Sequence, residues 1–311
     1  MKLLITHSIV LILLAACIAR TEWPMSNDPA FEATVKKPTY PDSQGPTILL
    51  DGGHHNFFIQ WDFIKPFADL AEADGYQTVI DDETFTPGYL EKFDIVMIIT
   101  ALPFDFGTRT EVTTETTFTI AEIEALHDWV RAGGSLLVFS EHAPLDQAIN
   151  PLLNRFGITS SVGTVVDEEP QDTTLGLHRI VFSRENGFLN EEHPIIKGRN
   201  MSEAIDSVVT FGGSSLTGEG YANLLQLSPT AKNQEHPTGV GPIGMGNSQA
   251  LAGSAGEGKI VALADSNGFT AMNFKLEDGS SLSAGMNTEN HDWKQFVLNV
   301  LHWLSGELPP R

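Results

Sequence analysis

The sequence predicts an α/β protein with a doubly wound, mostly parallel sheet. Over residues 47–140, short apolar segments alternate with amphipathic segments of helical length. One of them, FDIVMIIT at 93–100, is continuously hydrophobic, as strands buried on both faces are. Strands that alternate with helices of this length form parallel sheets, since each helix returns the chain to the same edge.

The first half of the pattern contains four strands and two helices. Strands are predicted at 47–51, 76–81, 93–100 and 135–140, and helices at 63–74 and 120–131. Thr119 and Glu122 have the spacing of a capping box at the start of the second helix, and Gly133 follows its end.

The pattern loosens after residue 154 and returns near the end of the chain. Residues 160–256 are rich in Gly, Ser, Thr, Asn and Pro and contain only short β-like segments, at 180–183 and 207–211 among others. This region is interpreted as an excursion, with an added β layer as one form it could take. A buried strand at 258–265 and an amphipathic helix over Trp293–Leu304 then complete the predicted domain, which spans 46–311.

The amino terminus has the pattern of an export signal. A basic residue, Lys2, precedes an apolar stretch that is too short to span a bilayer. The stretch LAAC at 14–17 resembles a bacterial lipobox, which predicts a signal at 1–17, lipidation of Cys17 and an outer-membrane anchor. An ordinary secretory signal cut after Ala19 is the alternative. Residues 18–45 are polar, contain several prolines and are predicted to form a flexible tether.

Charge and cysteine content exclude some functions. Loss of the signal leaves 17 basic residues against 40 acidic ones, and so acidic a chain is repelled by nucleic acid. We therefore expect no nucleic-acid partner. Cys17 is the one cysteine, so a lipidated protein has neither an internal disulfide nor a catalytic thiol. The oligomeric state is not indicated by the sequence.

Three polar clusters follow predicted strands. Ligands of open parallel sheets bind beyond the carboxyl ends of the strands, which makes all three clusters candidates for one site. The candidate residues are Asp51, His54, His55 and Asn56 after the first strand, Glu141 and His142 after the fourth, and Asp265, Ser266 and Asn267 after the late strand.

The order ILLDGGHHNFF, FDIVMIITALP and TIAEIEALHDWVRAGGSLLVFSEHAP resembles the class I glutamine amidotransferase-like superfamily. With GKIVALADSNGFTAM, AGMN and FVLNVLHWLSG, the chain is most similar to an exported bacterial family whose activity is not established. The resemblance covers most of 47–306 and implies a flavodoxin-like sheet with helices on both faces. Where the amidotransferases have a nucleophilic cysteine, this chain has Ser140, Glu141 and His142. The resemblance therefore implies the fold and the site location, and the missing thiol excludes glutamine hydrolysis through a thioester.

Three interpretations of the candidate site remain open. In the first, Asp51, His54 and His142 bind a divalent metal that activates water. In the second, His142, Glu141 and Asp265 carry out acid–base chemistry directly. In the third, Asp51, His54, His55, Asn56 and Ser266 bind a small molecule or glycan, with Phe57, Phe58 and Trp61 closing over it and no turnover. Each of these residues could instead satisfy the hydrogen bonds of a loop.

Overall fold

The computed structural model describes residues 24–107, 116–142, 145, 148–167, 171–172, 179–234, 244–276 and 278–309. The strands are β1 Met25–Asn27, β2 Thr47–Asp51, β3 Gln77–Asp81, β4 Ile95–Ile99, β5 Ser135–Phe139, β6 Ile158–Ser160, β7 Thr164–Val166, β8 Gln171–Asp172, β9 Arg179–Ser183, β10 Ser207–Thr210, β11 Leu216–Gly218, β12 Ala222–Gln226, β13 Lys232–Gln234, β14 Ser248–Ala255, β15 Gly258–Leu263, β16 Ala271–Lys275 and β17 Ser281–Gly285. The helices are α1 Phe57–Gln60, α2 Lys65–Ala73, α3 Pro87–Leu90, α4 Ile120–Arg131, α5 Asn150–Arg155, α6 Pro194–Lys197 and α7 Trp293–Leu304.

Among the described residues, nine strands form one large mixed sheet. Its order is β3-β2-β4-β5-β15-β14-β11-β6, and β12 also pairs with β14. The five strands from β3 to β15 are parallel, whereas β14, β11, β6 and β12 are antiparallel to their neighbours. The predicted α/β class is confirmed, and the parallel half of the sheet consists of the five strands predicted at 47–51, 76–81, 93–100, 135–140 and 258–265.

Helices cover both faces of the parallel strands. All five residues of β4 are buried, with Ile95, Met97 and Ile99 in one hydrophobic core and Val96 and Ile98 in the other. The first core includes apolar side chains of α2 and α7, and the second includes those of α3, α4 and α5. Alternate side chains of a strand point to opposite faces, which explains why this strand is hydrophobic at every position.

The region predicted as an excursion contributes strands to two different sheets. Strands β6, β11, β12 and β14 extend the main sheet, while β8, β9 and β10 form a separate small sheet. The β-like segments predicted at 180–183 and 207–211 correspond to β9 and β10. Antiparallel extension by strands of the excursion is the reason the sheet is mixed.

The described part of the predicted tether lies on the domain. Strand β1 pairs with β16, and Met25 is buried. Further along, the hydroxyl of Thr39 lies 2.9 Å from Nε2 of His302, and the ring of Tyr40 packs edge-on against Tyr76 at 5.1 Å. Residues 24–45 are therefore part of the fold, in contrast to the tether predicted from their composition. Among the residues that the structure describes, no helix is long and apolar enough to cross a membrane.

Candidate functional site

The turn after β2 is held by its own polar side chains. Asp51 ends the strand and is 1% exposed; Nδ2 of Asn56 donates to its Oδ2 at 2.8 Å, and the backbone N–H of Gly53 donates to its Oδ1 at 3.1 Å. The amide oxygen of Asn56 accepts from the backbone N–H of Ile99 at 2.7 Å. Asp51 and Asn56 thus join the turn to the end of the neighbouring strand β4.

His54 lies between two carboxylates. Its Nδ1 is 2.9 Å from both oxygens of Asp51, and its Nε2 is 3.0 Å from Oε1 of Glu122. Burial acts to lower the pKa of His54, but hydrogen bonds and charge from Asp51 and then Glu122 outweigh it, so the pKa is raised above its ordinary value. Both partners are carboxylates, so these contacts favour the imidazolium form of His54, in which both ring nitrogens donate.

Glu122 also caps α4. The hydroxyl of Thr119 accepts from the backbone N–H of Glu122, and Oε2 of Glu122 accepts from the backbone N–H and hydroxyl of Thr119, at 2.9 and 2.8 Å. Burial acts to raise the pKa of Glu122, but the bonds from Thr119 and His54 prevail and lower it. The predicted capping box is confirmed. The other carboxylate oxygen of Glu122 binds His54.

Two phenylalanines pack against the imidazole ring of His54. The ring centroids of Phe85 and Phe118 lie 4.8 and 4.4 Å from that of His54, and both rings are buried. A cation beside aromatic rings is stabilised by their quadrupoles. With both ring nitrogens bonded to carboxylates, His54 joins the first turn to α4 and is not available as a proton acceptor.

The second cluster is centred on Glu141. This side chain follows β5, is 2% exposed, and accepts from the backbone N–H groups of His142 at 3.1 Å and Ser266 at 3.2 Å. Burial raises its pKa to about 7; the charge of Asp265 adds to this effect, while His142 and the two backbone donors oppose it. Glu141 therefore changes its charge near neutral pH.

Asp265 orders the turn beside Glu141. Its Oδ1 accepts from the backbone N–H and side-chain amide of Asn267 at 2.8 and 3.0 Å, and its Oδ2 accepts from the backbone N–H of Phe211. These bonds fix the turn after β15 and tie it to the end of β10. Asp265 acts on Glu141 through its charge.

A hydrogen bond crosses the end of β5. Thr100 follows β4 and Ser266 follows β15, the two neighbours of β5, and their hydroxyl oxygens are 2.7 Å apart. Thr100 has a φ of 55°, a left-handed conformation that is rare for a β-branched residue. Backbone strain of this kind concentrates at functional sites, and here Thr100 contacts Ser266, whose backbone N–H binds Glu141.

The structure divides the predicted residues into two groups. Asp51, His54 and Asn56 meet around the first turn, while Glu141, Asp265, Ser266 and Asn267 meet around the second. His55 is half-buried, has a φ of 46° and lies 3.1 Å from Nε2 of Gln60, and His142 is half-buried beside Glu141. Cys17 lies outside the described residues, as do Ala143 and Pro144.

The predicted metal ligands are not brought together. His54 is bonded through both nitrogens to carboxylates, which leaves neither nitrogen for a metal shared with His142. Among the described residues, the group of three side chains with ligand atoms within 4.8 Å of one another is Glu124, His127 and Asp128 on α4. Glu124 is already paired with Arg155 at 2.8 Å.

The aromatic residues that were predicted to close over a ligand also differ from expectation. Phe57 and Phe58 are 5% and 4% exposed and belong to the core, and Trp61 is half-buried. Helix α1 begins directly after the turn, and both of its phenylalanines are buried in the first hydrophobic core.

Three residues of the two clusters were not predicted from the sequence. Glu122 is 68 residues from His54, and its capping role already accounted for it. Thr100 offered no signal, because its conformation is unusual for threonine. The third is Arg179, a buried residue whose guanidinium lies 4.8 Å from the ring of Phe211, next to the N–H that binds Asp265.

No protein-family model matches the chain, and neither does any curated protein. Among solved structures, the chain is similar to the mmIFT52 N-terminal domain, with 18% identity, a TM-score of 0.56, and coverage of 83% of this chain and 97% of that one. That likeness is one of fold. ThuA-like proteins are also among the neighbours: one from Bacteroides uniformis has 16% identity, a TM-score of 0.44 and coverage of 89% and 95%, and one from Parabacteroides merdae has 13%, 0.43, and 86% and 93%.

Proposed function

We propose that the protein is a cysteine-independent hydrolase of a small molecule or glycan and that Glu141 is its general acid–base residue. One observation carries the proposal: a carboxyl group buried at the carboxyl edge of the parallel strands, with a pKa raised to about 7. A group that titrates near the working pH can both accept and return a proton, which is the requirement for general acid–base catalysis.

The surroundings of Glu141 suit that role. Its two described hydrogen bonds come from backbone N–H groups, so no side-chain cation neutralises it through a hydrogen bond. The next residue, His142, is half-buried and so remains partly exposed to solvent. In the proposed reaction Glu141 accepts a proton from water as the water attacks, and then returns it to the leaving group.

The strand order supports the location of the site. The parallel strands have the order β3-β2-β4-β5-β15, which is the pattern of a flavodoxin-like sheet, and we infer that arrangement here. In such sheets ligands bind where the strand order reverses, which in this chain is between β2 and β4. The first cluster lies at that position, and Thr100, which follows β4, connects it to the second cluster through the hydroxyl of Ser266.

Glu141→Gln is expected to reduce kcat/KM by at least about 100-fold, because general acid–base groups contribute on the order of 10²–10⁴ in rate. The measurement is turnover of chromogenic ester, anilide and glycoside substrates by the full chain between pH 5 and 9. Wild-type activity should depend on a group with a pKa of about 7, and the variant should lose that dependence.

Asp74→Asn is the matched control, because Asp74 is a fully buried carboxylate that ends α2 at the opposite edge of the sheet and pairs with His302. It should lower the melting temperature and leave kcat/KM of the folded protein within about twofold. Full activity of the Glu141 variant, or equal loss in both variants, would remove Glu141 from the mechanism.

A noncatalytic ligand-binding or envelope assembly protein is the second candidate. It is favoured by the first cluster, in which the carboxylates and the imidazolium satisfy one another. On this alternative, ligands from the same panel would raise the melting temperature of wild type and of the Glu141 variant alike, with no product from either.

We also propose that the protein is exported and lipid-anchored through Cys17, on the pattern of its first 17 residues. The Cys17→Ser variant is expected to leave the membrane fraction, because a lipid-anchored protein is held by its acyl chains. Cell fractionation and the intact mass of the mature protein test this, with Ser8→Ala as a control that keeps the cysteine. A mature protein that begins after Ala19 would establish the secretory alternative.

A further inference from the structure

Strand β3 is one end of the main sheet. It pairs with β2 on one side, and among the described residues no strand pairs with its other side. The unpaired N–H and C=O groups of such an edge can bind a further strand. Natural sheets usually blunt their edges with charges, prolines or bulges inside the edge strand.

The middle of β3 is apolar and exposed. Val79 is 37% exposed and Ile80 is 58% exposed. Five large apolar side chains of the described residues are exposed to this degree, and two of the five are these neighbours on the edge strand. Val79 and Ile80 point to opposite faces of the sheet, so a strand added to β3 would cover apolar surface on both faces.

Acidic side chains flank the edge at both ends. Asp81, Asp82 and Glu83 follow Ile80, and the latter two are exposed. At the other end the exposed Glu72 accepts from the hydroxyl of Thr78. An open groove of about 630 Å³ is lined by residues 38–42, Glu72, Ala73 and Gly75, which precede the strand in the chain. This groove includes a further exposed acid, Asp42.

We propose that β3 is a docking strand for an extended segment of a partner protein, apolar in the middle and basic at its ends. The segment would add to the sheet through main-chain hydrogen bonds, with apolar side chains against Val79 and Ile80. Lysine or arginine residues at its ends would face the acids around Glu72 and Asp82. This surface is separate from Glu141, and the proposal does not depend on the proposed hydrolase activity.

Charge decides between a basic partner and a second copy of this chain. The chain has 40 acidic and 18 basic residues, for a net charge of −22. Two copies that meet at this edge repel each other, whereas a basic segment is drawn to it. The partner segment is therefore the occupant that the described surface favours.

The test uses two synthetic peptides with the same apolar centre, Thr-Val-Thr-Val-Thr, flanked by pairs of lysines in one and pairs of glutamates in the other. Binding to the full chain is measured by calorimetry, and the site by hydrogen exchange of the Gln77–Asp81 amides. The basic peptide should bind at least about 10-fold more tightly than the acidic one, and more weakly as salt is added. It should also slow exchange of the β3 amides.

Ile80→Lys is expected to lower the affinity for the basic peptide by at least about 10-fold, because the substitution removes the apolar contact and repels the peptide's lysines. Met201→Lys is the matched control; Met201 is 96% exposed and lies outside the strands, and its replacement should leave affinity unchanged. Equal binding of both peptides, no binding of the basic peptide, or dimerisation that Ile80→Lys abolishes would each overturn the proposal.

Discussion

Replacing His54 with glutamine should lower the free energy of unfolding by about 3 kcal/mol at pH 6, because removing one member of a buried ion pair leaves its partners uncompensated. Asp51 and Glu122 would remain buried with one cation fewer between them. Asp51 keeps its bonds from Asn56 and Gly53, and Glu122 keeps those from Thr119, which places the loss at the lower end of the range for such pairs.

The loss should depend on pH in a defined direction. The pKa of His54 is raised in the folded protein, so its stabilisation is complete below its ordinary value of 6.5 and disappears as the pH rises through the raised value. The pKa of Glu122 is lowered in the folded protein. Its contribution to stability is therefore complete above its ordinary pKa of 4.5 and disappears as the pH falls through the lowered pKa. The difference between wild type and variant should therefore be largest between pH 4.5 and 6.5.

His55→Asn is the matched control for this experiment. His55 is the next residue in the same turn, is half-buried, and has a φ of 46°, which asparagine tolerates well. Its replacement should change the free energy of unfolding by less than about 0.5 kcal/mol. Urea unfolding of the three proteins from pH 4 to 9 provides the comparison. A small and pH-independent loss in the His54 variant would mean that the imidazole is neutral or that the turn adapts without it.

Local sequence patterns predicted the parallel half of the fold. Helix α7 has the bounds that its apolar periodicity indicated, and β4 was marked by five consecutive apolar residues. Strand β14 was missed because its residues, SQALAGSA, are small and have little strand preference. It is a strand because it pairs with β15 and β12, and pairing partners cannot be read from a single segment. For the same reason β1, in a proline-rich segment, was assigned to a tether although it pairs with β16.

The positions of the three polar clusters followed from the sequence, whereas the contacts within them followed only in part. All three polar clusters lie at the carboxyl ends of parallel strands, where the geometry of open sheets places them. The sequence did not show that His54 would be held between two carboxylates, because one of them, Glu122, is distant in the chain. It also did not show the burial and the nearby charge of Asp265 that raise the pKa of Glu141. His142 was expected to be the base, whereas the mechanism proposed above assigns that role to its neighbour Glu141, whose carboxyl is buried and has a raised pKa.

Glu141 provides the second large effect on stability. Because its pKa is raised from 4.5 to about 7, the folded protein holds a proton that the unfolded chain has released, and this contribution to stability is lost as the pH rises from about 4.5 through about 7. At 1.36 kcal/mol for each pKa unit, the loss is on the order of 3 kcal/mol. Glu141→Gln has no such proton to lose, so its stability relative to wild type should rise by that amount between pH 4.5 and 8.

Glu122→Gln is the control that separates this effect from a general response of buried carboxylates to pH. The pKa of Glu122 is lowered, so wild type should gain stability relative to that variant as the pH rises through the acid range, which is the opposite sign. Denaturant unfolding of wild type and both variants at pH 3, 4.5, 6 and 8 tests both signs, since the change for Glu122 falls below pH 4.5 and that for Glu141 above it. If the Glu141 variant followed wild type at every pH, Glu141 would titrate at its ordinary value. The proposed general acid–base residue would then be an ionised carboxylate at neutral pH, able to accept a proton from water but poorly suited to returning it to a leaving group.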